Sequence, residues 1–222
     1  MKPRVIVCNA VSLDGRIDGF QPDIGLFYGL VARFGEDATL AGCETLLHAP
    51  DEIPAEAPAD LAPPRVEPDD KRPMLVVADS RGRLRTWHYW KQQPFWRHFA
   101  ALCTDATSSE HYKYLHERHI DCLTAGTDRI DFAAALEMLN QNYGVKTVRV
   151  ESGGTLNGVL LRAGLVDEVH LLMHPVLVGD AGSKSFLRTS GLKAASNAIR
   201  LQLLALEPHA SDIVLASYSV MQ

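Results

Sequence analysis

Apolar positions fall in short runs separated by turn residues, and strand and helix spacings alternate along the chain. Arg4–Val11 (RVIVCNAV) is almost wholly apolar and β-rich, the pattern of a strand buried on both faces. Ser12-Leu13-Asp14-Gly15 ends it with turn chemistry. Leu26–Phe34 has helical spacing, Asp37–Cys43 predicts a second strand, and Glu44–His48 a brief helix. Strands are expected again at Pro73–Ala78, Phe99–Cys103, Ile120–Ala125, Lys146–Val150 and Val166–Met173. Helices are expected at Ser109–Arg118, at Asp131–Asn142 with its N-cap at Asp131 or a neighbour, and at Leu156–Ala163, stopped by Gly164. Two last strands, Ala198–Leu206 and Asp212–Val220, meet around Pro208-His209 and predict an antiparallel hairpin at one edge. Strands alternating with helices imply an α/β fold with a mixed, mostly parallel sheet and flanking helices.

Two stretches break the pattern. Residues 49–71 hold six prolines among many acids, which reads as a surface loop with no regular element. Arg83–Phe99 gathers Trp87, Tyr89, Trp90, Phe95, Trp96 and Phe99. Packing under a loop or at a subunit interface explains these rings better than base stacking, because no sustained basic pattern accompanies them.

Composition narrows the class. With 222 residues the chain is expected to be one domain over 1–222, large enough for a full core without staples. Its apolar share of 46% and charged share of 22% exclude disorder, collagen-like repeats and coiled coil. A net charge of -5 argues against a nucleic-acid or anionic-membrane surface. Cys8, Cys43, Cys103 and Cys122 lack C-x-x-C spacing and read as reduced thiols. No apolar run reaches the ~20 residues of a membrane span. The N-terminal run reads as a strand rather than a signal peptide, so the cytoplasm is the expected compartment.

Ligands of such sheets sit beyond the carboxyl ends of the strands, where four turns fall. The strongest signal is KTVRVESGGTLNGVLLRAGL, a buried strand running through a double glycine into a helix. The glycines let a ligand approach the backbone, and the helix N-terminus suits a pyrophosphate; a tight structural turn fits the spacing equally. A side chain at Gly154 is expected to fill the ligand's space. Glu151 at the strand end could hold a polar substrate or move a proton, or could be an ordinary exposed acid; Asp14 poses the same choice. Arg81, Arg83 and Arg85 follow Ser80 and could grip a 2′-phosphate or form a solvated cluster. His170 and His174 share a strand face, but no third metal ligand has supporting spacing, so no metal is expected.

Four segments resemble the RibD C-terminal reductase family, whose fold is that of dihydrofolate reductase. They are NAVSLDGRI (Asn9–Ile17), DATLAGCETLL (Asp37–Leu47), VVADSRGRL (Val76–Leu84) and VESGGTLNGVLLRAGLVDEVHLLMHPVLVG (Val150–Gly179). The resemblance implies a dihydrofolate-reductase-like three-layer fold and a homodimer. It also implies NADPH-dependent reduction of a ribosylamino-pyrimidine of riboflavin synthesis, with hydride delivered to the sugar C1′. By the same resemblance, Thr45 and Ser80 with Gly153, Gly154, Thr155 and Leu156 bind the cofactor, and Arg81 joins them as the candidate for a 2′-phosphate. Glu151 contacts substrate; Asp14 matches the family's first-turn aspartate, its role left open, and stands beside Glu151 as a catalytic candidate.

The chain departs from the family pattern on the substrate side. Ala49 stands where an aspartate is usual, Ser152 replaces a glycine, and Asp23-Ile24-Gly25 replaces an S-x-W-I-[ST] run. The arginine expected to contact a substrate phosphate has no clear counterpart. A different small substrate such as a pteridine, or a nucleotide-binding module without turnover, are the competing readings.

Overall fold

The computed structural model describes residues 1–48, 52–63, 67, 69–179, 184–188 and 198–221. In chain order the elements are β1 (Arg4–Ser12), α1 (Ile24–Val31), β2 (Ala38–Gly42), α2 (Cys43–Leu47) and β3 (Met74–Ala78). Then come α3 (Trp87–Lys91), β4 (His98–Cys103), α4 (Ser109–Glu117), β5 (Asp121–Thr124), α5 (Phe132–Tyr143) and β6 (Thr147–Val150). The last are α6 (Gly154–Arg162), β7 (Glu168–His174), β8 (Leu201–Pro208) and β9 (Val214–Val220). They group into two compact units, one of Met1–Pro3 with Glu36–Val148, the other of Arg4–Gly35 with Arg149–Gln222. Strand β6 contributes residues to both.

The first unit is a parallel run in the order β5-β4-β3-β2. Strand β3 is buried from Met74 to Val77 and β4 from Phe99 to Cys103, as expected of strands covered on both faces. Leu75, Val77, Phe99 and Leu115 pack with Trp87 and Trp90 in its core. The second unit pairs β1 with β7 in parallel, from Ile6 opposite Glu168 to Ser12 opposite His174. Strand β9 joins β7 antiparallel, and β8 joins β9 antiparallel with an irregularity between Leu203 and Ala205. Ile6, Cys8, Phe27, Val31, Leu172 and Leu215 form its core. Together these pairings make the mixed, mostly parallel α/β arrangement with the antiparallel C-terminal hairpin that the pattern predicts.

Three details differ from the sequence reading. The aromatic stretch holds a helix, α3, whose five residues are too few to show a period. Trp87 and Trp90 of that stretch are buried in the core of the first unit. Within the proline-rich loop Pro58–Leu61 forms a 3₁₀ turn with a proline at its start, where the missing N–H costs nothing. Residues 49–51, 64–66 and 68 of that loop lie outside the described residues. Helix α6 starts at Gly154, two residues earlier than its apolar spacing suggests.

Candidate functional site

In the second unit, β6 carries Arg149 and delivers Glu151 just past its end. Glu151 accepts from the Tyr28 hydroxyl at 2.6 Å on Oε1 and pairs with the Arg149 guanidinium through Oε2. The Arg149 side chain is buried and Glu151 is about a quarter exposed, so the carboxylate is held from within and open on one side. Burial and the neighbouring Glu151 charge push the Tyr28 phenol well above its ordinary value, so it stays an O–H donor. Tyr28 lies on α1, whose N-cap Asp23 accepts from Leu26 N–H at 2.8 Å. The Asp23 N–H in turn donates to His174 Nε2 at 2.9 Å, leaving Nδ1 to donate to the Leu172 carbonyl.

The turn that follows Glu151 is tied down by buried amides. Asn157 donates to Asn9 Oδ1 at 2.9 Å and to the Phe186 carbonyl at 2.7 Å, and Asn9 donates to the Ser152 carbonyl at 3.0 Å. Gly153 is the N-cap of α6 and brings no side chain to its first turn, so the N–H groups there have no side-chain cap. Among the described residues, a Cβ on Gly153 would meet only Ile17 Cδ1, at 3.7 Å. Gly154 is different: a Cβ there would collide with the backbone of Ser185–Arg188, lying 2.7 Å from Arg188 N. Gly158 faces the same segment. The close approach at Gly154 is therefore made by the chain's own strap, not left for a ligand as expected. Thr155 is exposed and Leu156 buried.

Asp14 is held by the Ser12 hydroxyl and by two backbone N–H groups. Its carboxylate accepts from Ser12 Oγ at 2.6 Å, Val178 N–H at 3.1 Å and Gly179 N–H at 2.8 Å. Those hydrogen bonds, the Ser12 one foremost, hold it far below the usual carboxylate range, which suits a clamp and not a proton donor.

In the first unit, β3 ends at Ala78 and Asp79 follows, buried. Asp79 accepts from Arg83 N–H at 2.9 Å and Leu84 N–H at 2.8 Å, closing the turn that holds Ser80 and Arg81. The Ser80 carbonyl accepts from the Thr107 hydroxyl at 2.8 Å. Gly82 has φ +62°, and a Cβ there would sit 2.5 Å from the His111 ring. Of the three arginines, Arg83 pairs with Glu44 and Arg85 lies over the Tyr114 ring, 4.6 Å from its centroid. Arg81 is exposed and has no ion-pair partner among the described residues. Thr45 is half-buried on α2, next to Cys43, whose thiol burial pushes up to about 12.

Sequence reasoning reached Glu151, Gly153, Ser80 and Arg81 but not Tyr28, Arg149, Asn9 or Asn157. Arg149 alternates with Glu151 along one strand, a period-two signal that could have paired them. The histidines on β7 are spoken for: His170 contacts Ser217 and Glu168, at 2.8 and 2.9 Å. Among the described residues no group of three His, Cys, Asp or Glu side chains is arranged to hold a metal.

A mixed, mostly parallel sheet with flanking helices and a C-terminal antiparallel hairpin is the dihydrofolate-reductase-like arrangement. Dihydrofolate reductase from Enterococcus faecalis, complexed with NADP(H), superimposes with a TM-score of 0.51 at 10% identity, over 99% of this chain and 97% of that one. A pyrimidine reductase-like protein from Corynebacterium diphtheriae reaches 0.69 at 19% identity, over 99% and 92%. The family model described as the RibD C-terminal domain matches residues 3–215, and the chain belongs to that family. It is 30% identical over 220 residues to 2,5-diamino-6-ribosylamino-4(3H)-pyrimidinone 5′-phosphate reductase of Methanothermobacter thermautotrophicus, covering 91% of this chain and 92% of that protein. It is 24% identical to riboflavin biosynthesis protein RibD of Bacillus amyloliquefaciens, covering 97% of this chain but only 57% of that longer protein.

Proposed function

We propose that the chain is an NADPH-dependent reductase of a ribosylaminopyrimidine 5′-phosphate in riboflavin biosynthesis, the substrate class in the name of its archaeal relative. The observation that carries this reading is the Glu151 carboxylate, braced by Arg149 and Tyr28 and open on one side, directly before the uncapped start of α6. NADPH, when bound, supplies the hydride. The sugar C1′ of the ring-opened imine receives it, and the imine nitrogen takes a proton, so the ribosylamino group becomes a ribitylamino group.

The chain's residues fit that cofactor. First-turn N–H groups of α6 at Gly154, Thr155 and Leu156, with the open face of Gly153, suit a pyrophosphate. Gly154 takes part through its N–H, its Cβ position being filled. In the first unit, taken by itself, the Arg81 guanidinium has no ion-pair partner among the described residues and suits a 2′-phosphate beside Ser80; Thr45 follows from the family resemblance. Glu151 holds the positively charged imine in place and favours its charge, which is positioning plus electrostatics rather than covalent work.

The chain is read as a homodimer built on β8. Leu201, Leu203, Leu204 and Leu206 are exposed on this terminal strand, an apolar edge that proteins seldom leave uncovered. The aromatic stretch, the other candidate surface, is largely core. Cysteines outside any disulfide among the described residues suit a cytoplasmic location, and among those residues no helix is long and apolar enough to cross a membrane.

The test is oxidation of NADPH, and separately NADH, followed optically with the pyrimidine phosphate as acceptor. Turnover with NADPH preferred supports the reading. Binding of NADPH without oxidation would make the chain a nucleotide-binding module, and turnover only with a pteridine would move the substrate.

A further inference from the structure

Glu151 never stands alone in this structure. Tyr28 sits 123 residues earlier in sequence, in a segment where the chain departs from the family pattern, yet its hydroxyl lies 2.6 Å from Glu151 Oε1. Its position is fixed from two sides. Helix α1 is anchored at Asp23 by His174, and the Tyr28 ring meets the buried Phe27 ring edge-on, centroids 5.3 Å apart. Even so, Tyr28 is about half exposed.

The chemistry of the pair is asymmetric. A phenol has one hydrogen to give and two lone pairs to offer, whereas an ionised carboxylate can only accept. With Arg149 bound to Oε2, the one arrangement that satisfies the contact sends the Tyr28 hydrogen to Oε1. The outward side of the Tyr28 oxygen is then an acceptor, and so are the remaining lone pairs of Glu151. Together they make a small surface that accepts hydrogen bonds and donates none.

We infer that Tyr28 is a specificity-determining residue that, with Glu151, reads a hydroxyl or N–H donor on the sugar side of the substrate. This rests on the proposed reductase function and deepens it. A ribosylamino side chain carries such donors at its 2′- and 3′-hydroxyls and its amine. A ligand with a bare carbonyl or ether oxygen at that place would face lone pairs with lone pairs, the mismatch by which buried polar sites reject analogues.

The experiment compares the wild-type chain with Tyr28→Phe, using the parent ribosylaminopyrimidine phosphate and its 2′-deoxy and 3′-deoxy analogues. The parent should show KM raised about tenfold in the variant, the scale of one hydrogen bond, with kcat within about threefold and NADPH affinity unchanged. At least one deoxy analogue should be about tenfold poorer for the wild type and nearly equal to the parent for Tyr28→Phe. A fall in kcat at unchanged KM would show that Tyr28 merely shapes Glu151, and equal discrimination by both proteins would also overturn the inference. If the variant melts early, the analogue series on the wild type decides: no analogue more than twofold poorer overturns it. Absence of hydride transfer with the parent compound strikes the proposed function instead. The series is then read as calorimetric binding constants, and uniform affinity, or none, removes the role of Tyr28 as well.

Discussion

Two turns, one in each unit, share a sequence shape and differ in use. Asp79-Ser80-Arg81-Gly82 follows β3, and Glu151-Ser152-Gly153-Gly154 follows β6; each is an acid, a serine, one residue and a glycine. In the first, the acid is buried and both its oxygens accept from backbone N–H groups of its own turn. In the second, the acid is partly open and both its oxygens contact side chains, Tyr28 from α1 and Arg149 from the strand that precedes the turn. A carboxylate spent on backbone is scaffold, because releasing it orphans buried donors. A carboxylate held by side chains can share its lone pairs with an arriving ligand. Position at a strand end does not separate the two roles; the identity of the partners does.

The harshest way to break the comparison is Gly154→Val. Its branched side chain must displace the Ser185–Arg188 backbone, a loss on the order of 5 kcal/mol, most of the stability of an ordinary domain. Chemical denaturation should show a chain largely unfolded. A stable variant that lost only NADPH binding would give the glycine back to the ligand.

Asp79→Ala should come next, at about 2–5 kcal/mol, since it strands the Arg83 and Leu84 N–H groups. The midpoint of urea unfolding measures it, and a shift near zero would end the distinction drawn between the two acids.

Glu151→Gln sharpens the contrast. The amide keeps one acceptor and the shape, so turnover should fall by roughly 10²-fold while NADPH affinity stays within about twofold. Lost cofactor affinity would place Glu151 against the cofactor instead.

The smallest effect is one of pH and belongs to the first turn alone. Burial lowers the pKa of His111, fully enclosed against Gly82, with Asp79 and Glu110 opposing the shift and Arg85 adding to it. A histidine depressed in the folded state takes its proton more readily when unfolded. Its contribution is therefore complete above about pH 6.5 and declines below it, by at most about 1.4 kcal/mol per pH unit. His111→Phe should flatten that part of the stability–pH curve, and an unchanged slope would assign the acid sensitivity to another group, such as His170.

The sequence made the frame legible because buried parallel strands are continuous apolar runs, as in β1, β3 and β4. Helix α5 announced itself through Asp131, which caps it by accepting from Ala134 N–H. Helix α3 did not, being a single turn of bulky rings. The site was half legible. Glu151 and the glycines stand together in one motif, but Tyr28 joins Glu151 across 123 positions and Asn157 joins Asn9 across 148, and no local pattern carries such pairs. The reason for Gly154 was hidden for the same cause, since the backbone it makes room for arrives some thirty residues later.

The pairing of β1 with β7 has a consequence for how the chain is born. Strand β1 is synthesised some 160 residues ahead of its parallel partner Glu168–His174. At 5–20 residues per second that is a delay of roughly 8–32 s. Glu36–Val148 can condense on the ribosome meanwhile, while RVIVCNAVS waits without its β7 partner, one of its two neighbours in the sheet. A stalled nascent chain ending near residue 150 should be cut by protease within residues 4–35 and resist it within the later stretch; equal resistance in both would show that β1 finds shelter before β7 exists.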